Sequence, residues 1–363
     1  MRKRTRQMVV WMIGLWACCA LAAPPDDEDR ILFFPDLAVS EEADAVRVHV
    51  EAWVYEQENR RFMSWMLARY LGIDFDQCTP EEQALFQERS RYFRVDSERG
   101  IDLAVRLQGE VLPLPKTRAS GRTSGVFTVR APLPGPRDTA GRIAFTLEMP
   151  AGHPLAGQAG YAWFVPPEGI SVVSDIDDTI KISHVRKRAL LMENTFLKPF
   201  VPAPGMAAWY RELAQTTPGV AFHYLSASPM QLYPALQAFL DDEGFPAGSM
   251  HLRESTAWHS VIAGKETSIA HKTGVLERLF TDYPKRRFIL IGDSGEHDPE
   301  IYADAARRHP ERVEAIHIRD VTGEERDAPR YRETFHDLPP TLWTIRKDGA
   351  QQARGLAEET SGQ

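Results

Sequence analysis

Ser171 to Thr179 reads SVVSDIDDT, a short apolar run that opens into Asp175, Asp177, Asp178 and Thr179. Carboxylates crowded at the end of a strand repel one another unless a cation or a positively charged partner offsets them. Two later apolar runs also finish in polar residues: VAFHYL at Ser226, and FILIG at Asp293, with Asp298 shortly after. Lys272 stands at the start of the helical stretch ahead of the third run. Brought to one pocket, these groups could transfer a phosphoryl group. Carboxylates from separate strands are hard oxygen ligands suited to Mg²⁺, which keeps waters and accepts a phosphate oxygen. One more carboxylate can attack phosphorus once the repulsion between anions is offset. A second carboxyl two residues on can protonate the leaving oxygen and later deprotonate water. Ser226 and Lys272 would hold the oxygens of the transferred group.

The elements that must position these residues follow from Pro166 onward. Short apolar runs alternate with helical ones: 171–174, 206–215, 220–225, 230–241, 269–280, 288–291, 299–308 and 313–318. Strands that are apolar throughout, alternating with helices, predict an α/β domain with a parallel sheet covered on both faces. Ligands in such sheets bind beyond the carboxyl ends of the strands, where the polar residues fall. An EF-hand starting at Asp175 is excluded, because Ile180 and Arg186 stand where its glycine and its final glutamate belong. His184, His223, His259, His271 and His297 show no metal-ligand spacing.

The DIDDT stretch resembles the DxDxT motif of the haloacid dehalogenase (HAD)-like phosphatases, and Ser226, Lys272 and GDSGEHD match that superfamily's other motifs in order. DIDDTIK, YLSASP, GDSGEHDPEIY and IRDV look more closely like the actin-patch-protein type of phosphatidate phosphatase. The resemblance covers about 166–321 and implies a Rossmann-like, HAD-type parallel-sheet domain. It implies Asp175 as nucleophile, Asp177 as general acid/base, Thr179 as an orienting hydroxyl, and Ser226 and Lys272 as phosphate ligands. Mg²⁺ would be bound by Asp175, the backbone carbonyl of Asp177 and Asp293, with Asp298 at or beside the metal site.

The preceding half carries no such cluster. ADAVRVHVEAWVY (43–55) alternates like a strand, 61–71 reads as a helix, and 91–95, 101–107, 125–130 and 142–149 read as short strands between turn-rich pieces. This predicts a β-sandwich with a helical insertion, serving as a binding or positioning module. The expected division is a leader at 1–22, a sandwich at 23–165, a phosphatase domain at 166–340 and a flexible tail at 341–363. The leader has Arg2, Lys3, Arg4 and Arg6, then an apolar run from Met8 to Ala22, the layout of a secretory signal. An exported, periplasmic protein is expected; the alternative is anchoring by an uncleaved or lipid-modified N-terminus at Cys18 or Cys19. Removing the leader takes four of 43 basic residues and none of 51 acidic ones, so the formal charge moves from −8 to −12. Such a surface attracts neither nucleic acid nor anionic membrane in general. Cys78 alone of three cysteines would remain, leaving no internal disulfide.

The insertion between Thr179 and Val220 is too short for a large cap, so an open pocket is expected. Arg186, Lys187 and Arg188, followed by Leu190, Leu191, Met192, Phe196, Phe200 and Val201, suggest a basic, apolar flap making peripheral membrane contact; the alternative is that the apolar residues pack on the sheet. The expected activity is hydrolysis of phosphatidate to diacylglycerol. Hydrolysis of a soluble or protein-bound phosphomonoester, and a non-catalytic envelope lipid- or glycan-binding role, are the alternatives. The sequence does not define the oligomeric state.

Overall fold

The computed structural model describes residues 24–41, 45–57, 61–130, 141–255 and 263–347. The expected leader at 1–22 and the tail from 348 lie outside them. The first half contains β1 (Asp29–Phe34), β2 (Asp36–Ser40), β3 (Ala45–Gln57), α1 (Arg61–Leu71), α2 (Pro80–Ser90), β4 (Val95–Ser97), β5 (Ala104–Leu107), β6 (Glu110–Pro113), β7 (Arg122–Arg130), β8 (Arg142–Leu147) and β9 (Ala159–Val165). The second contains β10 (Glu168–Asp175), α3 (Arg188–Phe196), α4 (Met206–Thr216), β11 (Ala221–Pro229), α5 (Tyr233–Asp242), β12 (Gly248–Arg253), α6 (Lys265–Asp282), β13 (Lys285–Asp293), α7 (Asp298–Arg308), β14 (Val313–Arg319), α8 (Pro329–Thr334) and β15 (Trp343–Arg346).

The fold is mixed α/β, with one parallel sheet and a separate, mainly antiparallel one. The parallel sheet has the order β12-β11-β10-β13-β14-β15. Successive residues of β10 serve opposite faces: Val172 joins a core with Phe222, Tyr224 and Met206, and Val173 joins one with Leu290, Leu276 and Tyr302. That is why its strands read as continuous apolar runs. The first nine strands form one hydrogen-bonded network through β3, antiparallel except where β2 runs parallel to β9. This sheet encloses a core of its own, with Val46, Val48 and Val50 facing Leu103, Val105, Phe145 and Ala162.

The two sheets do not keep separate interiors. Phe34, Trp53 and Tyr55 complete the core beneath one face of the parallel sheet, and Leu37, Val39, Trp163 and Val165 complete the other. Asp36 forms a two-pronged ion pair with Arg278 on α6, both contacts 3.0 Å. Arg286, buried on β13, donates to the carbonyls of Pro166, Glu168, Ile170 and Gly219 and to Ser171 Oγ, fastening the passage into β10. Gly169 lies at φ +117°, and a Cβ there would meet that guanidinium at 3.2 Å.

Two expectations are corrected. The strand read at 91–95 is a 3₁₀ turn over Arg91–Phe93, with only Val95–Ser97 extended. The tail begins later than 341, because Trp343–Arg346 pairs in parallel with β14 and Trp343 stacks on Phe335 at 4.3 Å.

Candidate active site

The strand order reverses at β10, which has β11 on one side and β13 on the other. At such a switch point the connecting segments leave in opposite directions and open a crevice beyond the strand ends. Asp175 ends β10 opposite Leu225, so Ser226 follows one step further on β11. Asp293 ends β13, and Asp298 opens α7. Gly292 is required for this turn, since a Cβ would lie 2.4 Å from Asp298 Oδ2.

On the Asp175 side, one ammonium serves three carboxylates. Lys272 Nζ lies 2.8 Å from Asp175 Oδ1, 2.5 Å from Asp298 Oδ1 and 3.2 Å from Glu296 Oε2. The other Asp175 oxygen, Oδ2, accepts from Thr179 Oγ1 at 2.8 Å. Burial and the neighbouring Asp298, Glu296 and Asp177 push the Asp175 carboxyl well above the usual range despite Lys272. Asp293 is also raised, by burial and then by Asp298 and Asp175. Burial and Asp298 likewise raise Glu296. Although burial opposes its charge, Lys272 is held protonated by Asp175, Asp298 and Glu296.

The Asp177 side has the opposite character. Its Oδ1 receives Lys181 Nζ at 2.7 Å and Ser183 Oγ at 2.7 Å. Its Oδ2 receives Ser226 Oγ at 3.1 Å and Ser228 Oγ at 2.8 Å. Burial works against the charged form, but Lys181 and the hydroxyls outweigh it and hold Asp177 far below the usual carboxylate range. Asp178 is not part of either pocket. At φ 58° it accepts from the backbone N–H of Ser183, His184 and Val185, while Arg319 donates to its carbonyl at 2.6 Å. It shapes the loop that carries Lys181 and Ser183.

The acidic side has the donors a hard divalent cation needs. Asp175, Glu296 and Asp298 bring carboxylate oxygens within 4.8 Å of one another. Asp293 Oδ2 is buried without a hydrogen-bond partner among the described residues. Four carboxylates around a single ammonium leave negative charge that an added cation would offset. All the donors are oxygens, the set that suits Mg²⁺-like rather than thiophilic ions.

The structure thus gathers Asp175, Asp177, Thr179, Ser226, Lys272, Asp293 and Asp298 at one set of strand ends. It adds four residues to which the sequence reading gave no role: Lys181, Ser183, Ser228 and Glu296. For Lys181, Ser183 and Ser228 the signal was alternation; Glu296 lies in the loop between Asp293 and Asp298. In Thr179-Ile180-Lys181-Ile182-Ser183 the polar residues share one face, as do Ser226 and Ser228. The flap divides between its two alternatives. Met192 and Phe196 are buried, Phe196 packing on Phe86 and Phe93 at 5.9 and 5.6 Å, whereas Leu190, Leu191 and Phe200 are half-buried and Val201 is exposed. Arg89 on α2 caps the end of α3 through the Thr195 and Lys198 carbonyls and lies over the Phe200 ring. Arg186, Lys187 and Arg188 are exposed. A cavity of about 170 Å³ opens beside Asp177, with Leu191, Met192 and Leu232 on one wall and Ser226, Ser228 and Glu296 on another.

Residues 170–320 match the family model described as phosphatidate phosphatase APP1, catalytic domain. That segment is similar to the APP1 catalytic type. The Saccharomyces cerevisiae protein named phosphatidate phosphatase APP1 is 32% identical over 240 residues, covering 61% of this chain and 39% of that one. The Schizosaccharomyces pombe uncharacterized protein C29B5.04c is 36% identical over 157 residues, covering 42% of this chain and 25% of its own. The chain therefore spans well under half the length of either relative. A solved Bacteroides thetaiotamicron EndoBT-3987 structure aligns at TM-score 0.19 and 8% identity, over 80% of this chain and 77% of that one, too slight a likeness to carry an argument. The APP1-type segment runs from β10 to the end of β14, the strands that present the two carboxyl pockets.

Proposed function

We propose that this chain hydrolyses a phosphomonoester, with phosphatidate as substrate and diacylglycerol as product. The observation that carries the reading is the Asp175 carboxyl, with Lys272 on one oxygen and Thr179 on the other, inside the APP1-type segment. Asp175 attacks phosphorus, forming a carboxylate–phosphorus bond while the bond to the lipid oxygen breaks. Lys272 and Ser226 hold the non-bridging oxygens. An arriving phosphate takes over the Ser226 and Ser228 hydroxyls, which removes two of the four contacts holding Asp177 ionised and raises its proton affinity for the acid step. The same carboxylate then takes a proton from the water that releases phosphate from Asp175.

Mg²⁺ is the ion this site suits and would be held by Asp175, Asp293, Asp298 and the Asp177 carbonyl; it would offset the negative charge that raises the Asp175 carboxyl. The apolar wall of the cavity beside its polar floor favours an amphiphilic ester. We read the β12-β11-β10-β13-β14-β15 sheet as a Rossmann-like, HAD-type domain, on the support of its order and switch point, and the first sheet as sandwich-like, on the support of its enclosed core. Among the described residues no helix is long and apolar enough to cross a membrane. An exported, peripheral enzyme is our reading of the basic and apolar leader.

The test is phosphate release by the purified protein from phosphatidate vesicles and from soluble monoesters, with Mg²⁺ or EDTA, beside Asp175→Asn. Metal-dependent release from vesicles, absent in the variant, supports the assignment. Release from soluble esters alone replaces the substrate and keeps the chemistry. No release from either rejects the enzyme.

A further inference from the structure

A second group of carboxylates lies in the other sheet, where the described chain enters β1. Asp29 on β1 pairs directly with Glu56 on β3, and Glu56 pairs on its other edge with Asp96 on β4. Three acids therefore form a row across three adjacent strands, an arrangement in which like charges destabilise the sheet. Asp26 folds back onto this row. Its backbone N–H donates to Asp29 Oδ2 at 2.8 Å, and its own Oδ1 accepts from the N–H groups of Glu28 and Asp29. One carboxylate oxygen from each of Asp26, Asp29 and Glu56 lies within 4.8 Å of the other two.

Among the described residues, Arg30 and His153 lower the Asp29 carboxyl without offsetting what raises it, and their own contacts go elsewhere. Arg30 spends Nη1 on the carbonyls of Asp27, Glu28 and Asp29, and His153 reaches Asp27 at 3.7 Å. Asp29 is 2% exposed, and its Oδ1 is buried with no donor among the described residues. A buried carboxylate oxygen without a donor is costly, and here it sits beside two further carboxylates. Burial, followed by repulsion from Asp26, raises its carboxyl. Burial first, and then repulsion within the group, also raises Glu56 and Glu98.

We propose that Asp26, Asp29 and Glu56 bind a calcium ion, with Asp96 and Glu98 adding negative charge around it. Every donor is a hard oxygen, which excludes a thiophilic or imidazole-preferring metal. Asp26 is exposed and Glu56 half-buried, so the group presents a loose, partly hydrated edge. Calcium accepts such irregular geometry, whereas magnesium demands near-ideal octahedral ligation and sheds water reluctantly. The bound ion ties the segment before β1 to the β1–β3–β4 edge, in the sheet that does not carry the catalytic pocket.

The test is calorimetric titration of the whole protein with calcium chloride, with excess Mg²⁺ present to occupy the strand-end carboxylates, together with melting curves. We expect saturable binding in the range of extracellular calcium modules, about 10⁻⁴ to 10⁻³ M. Asp29→Asn and Glu56→Gln should each weaken it at least about tenfold and abolish the calcium-induced rise in melting temperature. In the absence of calcium, Asp29→Asn should melt no lower than its parent, because the charge removed is a repelled one; this separates loss of the site from loss of the fold. Absence of saturable binding at millimolar calcium overturns the proposal, as does binding that neither substitution changes.

Discussion

Asp175 and Asp177 stand two residues apart and occupy environments of opposite sign. Around Asp175, three carboxylates share one lysine with Asp293 close by, and burial is under-compensated, so proton affinity is raised. Around Asp177, one carboxylate has a lysine and three hydroxyls, so the proton is expelled. Neither residue type nor spacing makes this difference. It comes from which strand ends each side chain faces, Asp175 towards β13 and α6, Asp177 towards β11 and its own loop. Titratable pairs driven apart in this way divide the labour of acid–base chemistry, and the side that is short of positive charge is the side that recruits a cation.

That contrast can be broken most severely at Asp175. Asp175→Asn should lower kcat by about 10⁴-fold or more while leaving the circular dichroism spectrum intact, as expected for loss of a nucleophile; retention of activity within tenfold would remove it from that role. Asp177→Asn should cost about 10²- to 10⁴-fold in kcat, the contribution of a general acid/base. If the two variants are equally impaired with a good leaving group, the two pockets are not functionally distinct.

The lysines offer a matched pair. Lys272→Met strands several buried carboxylates and should cost about 3–5 kcal/mol in denaturant unfolding. Lys181→Met leaves Asp177 with three hydroxyl donors and should cost about 1–3 kcal/mol; reversal of that order contradicts the proposed imbalance.

The smallest effect is on pH dependence. Asp175, Asp293 and Glu296 have raised pKa values, so in metal-free protein the folded state keeps protons that the unfolded chain releases. Their contribution to stability is present below the unfolded carboxyl range near pH 4 and is lost as pH rises towards neutrality. Buried His251, His271 and His317, lowered by desolvation to about 3, 4 and 4, act in the opposite direction, with stability lost as pH falls below about 6.5. The carboxyl contribution should therefore emerge as the difference between wild type and Asp293→Asn in EDTA, and Mg²⁺ should diminish it. An unchanged slope in the variant would contradict it.

The parallel sheet was legible because its strands are buried on both faces: Val172 and Val173 feed different cores, and such a run needs no neighbour to be recognised. Helix α1 fell at 61–71 as its apolar spacing suggests. Helix α2 did not stand out, since it buries only Phe86, Arg89 and Ser90, although Thr79, Pro80 and Glu82 spell its capping box. Strand β15 is too short to carry a pattern and is fixed by its partner. The inward turn of Met192 and Phe196 was hidden for a different reason. The surface that receives them, Phe86 and Phe93, lies about a hundred residues away in the other half.

The shared interiors also order events in time. A chain made from its amino terminus exposes Phe34, Trp53, Leu37 and Trp163 before the strands that cover them have been synthesised. The first sheet can close its own core around Val48 and Phe145, but two of its faces stay sticky until β10 to β14 emerge. The nascent half is thus a natural client for a holding chaperone, and its release should coincide with completion of the carboxyl-terminal strands.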